Sequence, residues 1–243
     1  MSRTRLDLLL VQRGLAETRE LAQALILSGK VTVDAQSATR PAQAVGADAN
    51  VAVRDTGPAY VSRGALKLQA ALDMWDIDPS GKIAVDIGAS TGGFTDLLLQ
   101  RGAQRVYAVD VGYGQLHYKL RNDPRVVVME RTNARYLAEL AEQPDLAVVD
   151  VSFISLRLVL PPVFALLKHD APVIALVKPQ FEAGRAQVGK GGVVRSNAVR
   201  LEVLRQLQEW SASQPWQLED TLQSPITGPA GNVEFLSLWH SRR

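Results

Sequence analysis

The chain has 243 residues, 47% hydrophobic and 21% charged, with no cysteine and a formal net charge of +2. This is ordinary globular composition, and the length suits one small domain plus one medium one. The missing thiols exclude disulfides, thiolate zinc sites, iron–sulfur clusters and cysteine nucleophiles, while the near-balanced charge admits a nucleic-acid partner without requiring one.

The opening Met1-Ser2-Arg3-Thr4-Arg5-Leu6-Asp7 lacks the apolar core of a signal peptide, and no apolar run approaches the roughly 20 residues that span a bilayer. The expectation is a soluble, cytoplasmic protein with no membrane partner. Leu6, Leu9 and Leu10, then Leu21, Ala24 and Leu25, recur at helical spacing and predict two short helices. Thr18 is placed to cap the second helix and Gly29 to end it. Val31-Thr32-Val33 alternates like a half-buried strand, and a second strand is expected over 48–53. The turn-rich Arg54-Asp55-Thr56-Gly57-Pro58 marks a boundary, so a small α+β domain over 1–56 and a linker over 57–61 precede a domain over 62–243.

After a helix over 62–75 the chain alternates strand and helix, as a parallel sheet with crossovers does. Strands are predicted over 83–87, 105–109, 126–129, 146–149 and 173–177, with a closing pair over 216–222 and 233–239. Helices are predicted over 94–101, 156–167 and 197–211. The fold class is α/β, a Rossmann-like seven-stranded sheet with helices on both faces. Trp75, Trp210, Trp216 and Trp239 fall at element ends and are expected to pack.

The strongest local signal is Asp86-Ile87-Gly88-Ala89-Ser90-Thr91-Gly92-Gly93-Phe94, a buried strand running through a glycine turn into a helix. Glycines let the backbone approach a ligand, and the helix start offers free N–H groups. The spacing Gly88-x-x-x-Gly92-Gly93 is not the dinucleotide pattern. Asp86 before the turn and Asp110 at the end of the next strand fit S-adenosylmethionine instead: Asp110 for the ribose hydroxyls, Asp86 near the amino-acid portion. Thr132 and Asn133 are expected to line the adenine pocket. Tyr113 and His117 either cover the adenine or belong to a loop.

Gly184-Arg185-Ala186-Gln187-Val188-Gly189-Lys190 approaches a phosphate loop, but Gly191 stands where a Ser or Thr must hold magnesium, and the next helix starts near Ser196. It is read as a mobile glycine-rich loop within 183–195. His117, His169 and His240 have no ligand spacing, so no metal is expected.

Charged residues stand at or near strand ends, where open α/β sheets place ligands: Asp150, Lys178 and Glu234, joined by Lys67 from the helix before the first strand. This Lys–Asp–Lys–Glu set resembles the tetrad of the FtsJ-type ribose 2′-O-methyltransferases. The whole chain resembles the TlyA family, named as haemolysins and acting as ribosomal-RNA 2′-O-methyltransferases. The resemblance rests on the 86–94 turn, Val149-Asp150-Val151-Ser152-Phe153-Ile154-Ser155, Leu176-Val177-Lys178-Pro179-Gln180-Phe181-Glu182 and Gly231-Asn232-Val233-Glu234. The stretch from Arg5-Leu6-Asp7 through Gly29-Lys30-Val31-Thr32-Val33 likewise resembles an S-four-type RNA-binding domain, with Thr18-Arg19 where Ser-Arg is commoner.

The resemblance implies methyl transfer from S-adenosylmethionine to a cytidine ribose in ribosomal RNA, free or in a ribosomal subunit. A ribose hydroxyl is a poor nucleophile at neutral pH, so its proton must be taken or its oxyanion stabilised. Lys178 is the candidate for that task. Lys67 would be its cationic neighbour, Asp150 would orient it, and Glu234 would position Lys178 or Lys67. The cofactor set is Asp86, Gly88, Ser90, Thr91, Gly92, Gly93, Phe94, Asp110, Thr132, Asn133 and Asp150. Arg3, Arg5, Arg13, Arg19 and Lys30 are candidate phosphate contacts, though Asp7, Glu17, Glu20 and Asp34 nearly cancel them in number. Two other readings stay open: a membrane-active haemolysin, suggested by the family's name, and a non-catalytic RNA-binding protein that keeps the fold.

Overall fold

Short strands around a helical pair make the first of two units into which the chain divides, Met1–Ala59 and Tyr60–Arg243; the computed structural model describes residues 3–16, 18–53 and 60–242. In chain order the first unit holds β1 (Arg3–Arg5), α1 (Leu6–Gln12), α2 (Arg19–Leu27), β2 (Val31–Val33), β3 (Gln36–Ala38), β4 (Ala44–Gly46) and β5 (Val51–Val53). Thr18 caps α2 as expected, its hydroxyl accepting from the Leu21 N–H at 3.2 Å. The buried face of α2 is Ala22, Leu25 and Ile26, with Leu21 exposed, so the core stripe lies one residue on from the one predicted. These side chains pack with Leu6, Leu9, Leu10, Val31, Ala38, Val45 and Val51.

Strands β3 and β5 flank β2 antiparallel, and β1 pairs with β4. The β2–β3 hairpin turns through Asp34 and Ala35, both at positive φ (49° and 68°), in the two-residue geometry that matches strand twist. Strand β5 starts at Val51 rather than 48. The residues before it form a turn, with Ala49 N–H bonded to the Gly46 carbonyl and Asn50 N–H to Asp34 Oδ1 at 2.9 Å. The boundary stretch 54–58 and Glu17 lie outside the described residues. Tyr60 and Val61, read from the sequence as linker, are anchored to the second unit through Gln69 and the Asp96 carboxylate.

The second unit runs α3 (Ala65–Met74), β6 (Ile83–Ile87), α4 (Gly93–Gln100), β7 (Arg105–Val109), α5 (Tyr118–Arg121), β8 (Val126–Met129), β9 (Leu146–Val149), α6 (Leu156–Leu166), β10 (Val173–Val177), α7 (Pro179–Glu182), α8 (Asn197–Ala212), β11 (Trp216–Gln223) and β12 (Phe235–Ser241). Seven strands form one sheet in the order β11-β12-β10-β9-β6-β7-β8, parallel from β8 to β10, with β12 antiparallel to both its neighbours. The last strand begins at Phe235, so Val233 and Glu234 precede it.

Helices α3 and α4 bury Leu68, Leu72, Leu97 and Leu98 on one face of the sheet. Helices α6 and α8 bury Val159, Leu160, Val163, Val203 and Leu207 on the other. Trp210 packs against both Trp216 and Trp239, and Trp216 also stacks on Phe164 at 4.7 Å. Trp75 donates to Asp220 at 2.9 Å. The strand order reverses between β6 and β9, and in open α/β sheets ligands bind outside the carboxyl ends of the strands at that point. Among the described residues no helix is long and apolar enough to cross a membrane.

Candidate active site

Strand β6 delivers Asp86 fully buried, two residues before Gly88, where the chain turns. Gly88 has φ 86°, and a Cβ there would collide with the carbonyl oxygen of Asp150 at the end of β9. The two strand ends of the reversal point are therefore held in direct backbone contact. Gly92, at φ 96°, would drive a Cβ into Leu120, so the turn closes on α5 only without a side chain.

The Asp86 carboxylate accepts from Thr95 Oγ at 2.7 Å through Oδ2, while Oδ1 is buried without a hydrogen-bond partner. Burial first, and then the like charges of Asp150 and Asp110, outweigh the Thr95 bond and push this carboxyl up to about 7. Asp110 accepts from the Ser90 N–H at 2.8 Å and the Gly112 N–H at 2.6 Å. Each oxygen keeps lone-pair capacity for a further donor.

Two cavities meet here. The larger, of about 470 Å³, is lined by Asp110, Gln115, Thr132, Asn133, Asp150 and Phe153, among others. The smaller, of about 120 Å³, is lined by Ser62, Asp86, Thr91, Gly93 and Phe94; Gly88, Ser90 and Asp150 border both. Phe94 is mainly a core residue, packed among Leu97 and Leu98. Asn133 lines the wall while its carboxamide oxygen caps a short turn by accepting from Arg135 N–H. Of the two residues left open from sequence, Tyr113 is exposed with the Arg131 guanidinium 4.2 Å over its ring, and His117 accepts from Lys119 N–H at the start of α5. The wall position falls to Gln115, whose side chain also meets Ser90 Oγ at 3.3 Å.

The four charged residues arrive as two pairs. Lys67 Nζ donates to Glu234 Oε2 at 2.6 Å, both side chains buried. Lys178 Nζ lies 2.6 Å from Asp150 Oδ1 as an ion pair outside hydrogen-bonding alignment, and its aligned bond goes to Ser152 Oγ at 2.8 Å. Of the two partners expected for Glu234, the structure assigns Lys67. Each ammonium is thus matched with its own carboxylate, Lys67 with Glu234 and Lys178 with Asp150. A further space of about 360 Å³ opens beside Lys67, lined by Arg63, Gly64, Thr227 and Gly228.

Ser152, Thr95 and Gln115 were missed as site residues from sequence. So was Glu182, whose Oε1 accepts from Leu156 N–H and Oε2 from Ser155 Oγ, both at 2.7 Å. Burial raises its carboxyl above the usual range, against the pull of those two bonds. The only sequence signal for Ser152 and Glu182 was their place within the blocks around Asp150 and Lys178.

The glycine-rich loop after Ala183 is no phosphate loop: α8 begins at Asn197, capped by Ser196. The loop is also tied down rather than loose. Gly189 bridges to Val193, Asn232 accepts from Val194 N–H and donates to the Gly192 carbonyl, both at 2.9 Å, and Arg200 donates to the Val194 carbonyl.

In the first unit the candidate phosphate contacts are partly engaged. Arg5 and Arg19 both reach Asp7, whose fully buried carboxylate also accepts from Gln23. The Arg5 bond above all holds that carboxyl well below the usual range. Asp7, counted from sequence among the cancelling acids, is thus an organiser of the basic cluster. Arg13 donates to the carbonyls of Ala47 and Ala49. Arg3 is exposed and Lys30 half-buried. Among the described residues no group of three or more His, Asp or Glu side chains could hold a metal ion.

Residues 60–240 match the FtsJ-like methyltransferase family and residues 4–51 the S4 domain. The chain is 50% identical to the 16S/23S rRNA (cytidine-2'-O)-methyltransferase TlyA of Mycobacterium tuberculosis, over 98% of this chain and 89% of that protein. It is 41% identical to Hemolysin A of Brachyspira hyodysenteriae, over 96% of this chain and 98% of the relative. A solved structure from Streptococcus thermophilus carrying a hemolysin label has a TM-score of 0.73 at 42% identity, covering 99% of this chain and 89% of that one.

Proposed function

The chain belongs to the TlyA family of FtsJ-like methyltransferases with an S4 domain in front, and from that premise we propose that it methylates a cytidine ribose 2′-hydroxyl of ribosomal RNA, in the cytoplasm. The observation that carries the reading is Lys178, held by Asp150 and Ser152 where Asp150 borders both cavities.

The cavities suit S-adenosylmethionine on chemical grounds. The unpartnered, buried Oδ1 of Asp86 is an acceptor awaiting a donor, which the ammonium of the methionine moiety would supply. Asp110, with lone pairs to spare on the wall of the larger cavity, suits ribose hydroxyls, and Thr132, Asn133 and Ala134 border the space left for the adenine. When bound, this group supplies an electrophilic methyl carried on a sulfonium.

Everything else falls to the chain's own side chains. An ammonium has three donors; with one on Ser152 and one turned to Asp150, Lys178 keeps a third direction for the acceptor oxygen. There the ammonium donates to the developing alkoxide and stabilises it, a contribution of about 10²–10³-fold. Asp150 fixes Lys178 and adds negative charge beside the reacting centre. Lys67 and Glu234 form a buried neutral pair that holds the neighbouring wall. Exposed Phe153 at the mouth of the larger cavity offers a stacking face for a base. In the first unit Arg3, Arg5, Arg19 and Lys30 meet RNA phosphates, Asp7 fixing two of them, while Arg13 serves mainly as a brace.

The test is transfer of labelled methyl groups from S-adenosylmethionine to separated ribosomal subunits and to stripped ribosomal RNA. Label is expected in RNA, and its absence from every ribosomal fraction would overturn the reading.

A further inference from the structure

Two of the sequence blocks around the site face each other residue by residue. The loop between β9 and α6 carries Asp150, Ser152, Phe153 and Ser155, and the segment after β10 carries Lys178, Phe181 and Glu182. Lys178 contacts Asp150 and Ser152, the rings of Phe181 and Phe153 lie 5.0 Å apart, and Glu182 closes the far end on Ser155 and Leu156. Phe153 is 89% exposed and stands at φ 64°, a backbone that L-residues rarely take, while Val151 and Ile154 on either side of it are partly buried against the core. The polar contacts at the two ends of the loop add to that packing in fixing where Asp150 and Ser152 sit.

At one end lies the chemistry. At the other lies a carboxylate with both oxygens engaged at 2.7 Å, one on the first N–H of α6 and one on the hydroxyl of its capping residue. A carboxylate at a helix N-terminus is favourably placed, which would be enough for a structural cap. Its position four residues after Lys178, in a four-residue helix, gives it a second consequence. Lys178 and Glu182 move together, so the bonds of Glu182 set where the Asp150–Ser155 loop sits relative to the Lys178 ammonium.

We propose that Glu182 is a positioning residue for methyl transfer, acting through Ser155 and Leu156 to hold Asp150 and Ser152 on Lys178. The proposal rests on the function argued above. It takes no part in proton or methyl movement; its effect is geometric, and a displacement of the order of 1 Å at a reacting group costs about 10²-fold in rate.

The experiment compares Glu182→Ala, Glu182→Gln and the unaltered full-length chain, well below their melting temperatures. Three quantities are read: kcat with ribosomal RNA, calorimetric affinity for S-adenosylmethionine, and residue-resolved labelling of lysines by an amine-reactive reagent. In Glu182→Ala, kcat is expected to fall about 10²-fold with cofactor affinity nearly unchanged. Labelling of Lys178 should rise while that of Lys67 stays constant. Glu182→Gln keeps an acceptor for Leu156 N–H and a donor for Ser155 Oγ, so it should recover most of both effects. A merely structural cap would lower the melting temperature and leave kcat and Lys178 labelling alone, and that result would overturn the proposal. So would a loss of kcat with Lys178 labelling unchanged. If the unaltered chain transfers no methyl group to RNA, the functional reading fails, yet the labelling still decides whether Glu182 places the loop.

Discussion

Two lysine–carboxylate pairs close at the same 2.6 Å in this site, yet they sit at different depths. Lys67 and Glu234 are 8% and 1% exposed, whereas Lys178 and Asp150 are 11% and 24% exposed and share the hydroxyl of Ser152 at the cavity edge. A buried pair has already met the desolvation cost of both charges, and each partner is tolerable only because the other is there. A pair at a cavity edge keeps a route to an incoming oxygen. Pairing alone therefore does not identify chemistry; depth and a third partner do.

The largest expected effect separates the pairs by activity. Lys178→Ala should lower turnover by about 10³-fold or more, with S-adenosylmethionine affinity and melting temperature close to unaltered, since Asp150 stays partly hydrated. Retained turnover in a labelled-methyl assay would erase the distinction between the two pairs. The next effect runs the other way. Glu234→Ala leaves Lys67 buried and unpaired, at roughly 3–5 kcal/mol, so the melting temperature should drop by roughly 10 °C. A scanning calorimeter showing no shift would mean that the pair is not held as described.

A smaller effect sharpens the electrostatics around both pairs. Burial holds Asp86 at about 7 in the folded chain, against an ordinary 3.8. A raised carboxyl contributes stability that is full below about 3.8 and lost progressively as pH rises to about 7. Without cofactor, Asp86→Asn should therefore melt a few degrees higher than the unaltered chain at pH 8, with the gap smaller at pH 5 and closed below about pH 4. Cofactor affinity of the unaltered chain should rise between pH 6 and pH 8 as Asp86 ionises to meet the ammonium, and the Asn variant should lack that rise. A calorimetric titration flat with pH in both chains would remove Asp86 from the cofactor site.

The sheet was legible because its central strands are buried on both faces. Runs such as Leu146-Ala147-Val148-Val149 and Val173-Ile174-Ala175-Leu176-Val177 are continuous apolar stretches with polar or turn-forming ends, and their limits match the prediction. The first unit was harder to read. Its strands are three residues long, below any detectable period, and its hairpin turns on Asp34-Ala35 rather than the Asn-Gly or Asp-Gly that announces such turns. Leu21 misled because hydrophobic spacing alone does not say which of two adjacent stripes is inward.

Within the site, the charged residues Asp86, Asp110, Asp150 and Lys178 stood out at strand ends. Thr95, Gln115, Ser152 and Glu182 did not, because what they do depends on partners brought close only by the fold: Thr95 on Asp86 across nine residues, Glu182 on Ser155 across 27. The pairing of Glu234 with Lys67, across 167 residues, was open in sequence for the same reason.

The most direct measurement takes the RNA methylated by the unaltered chain, digests it to nucleosides and identifies the product by mass spectrometry. The account predicts 2′-O-methylcytidine, absent when Lys178 is Ala. A methyl group on a base, or the same product formed without Lys178, would contradict it.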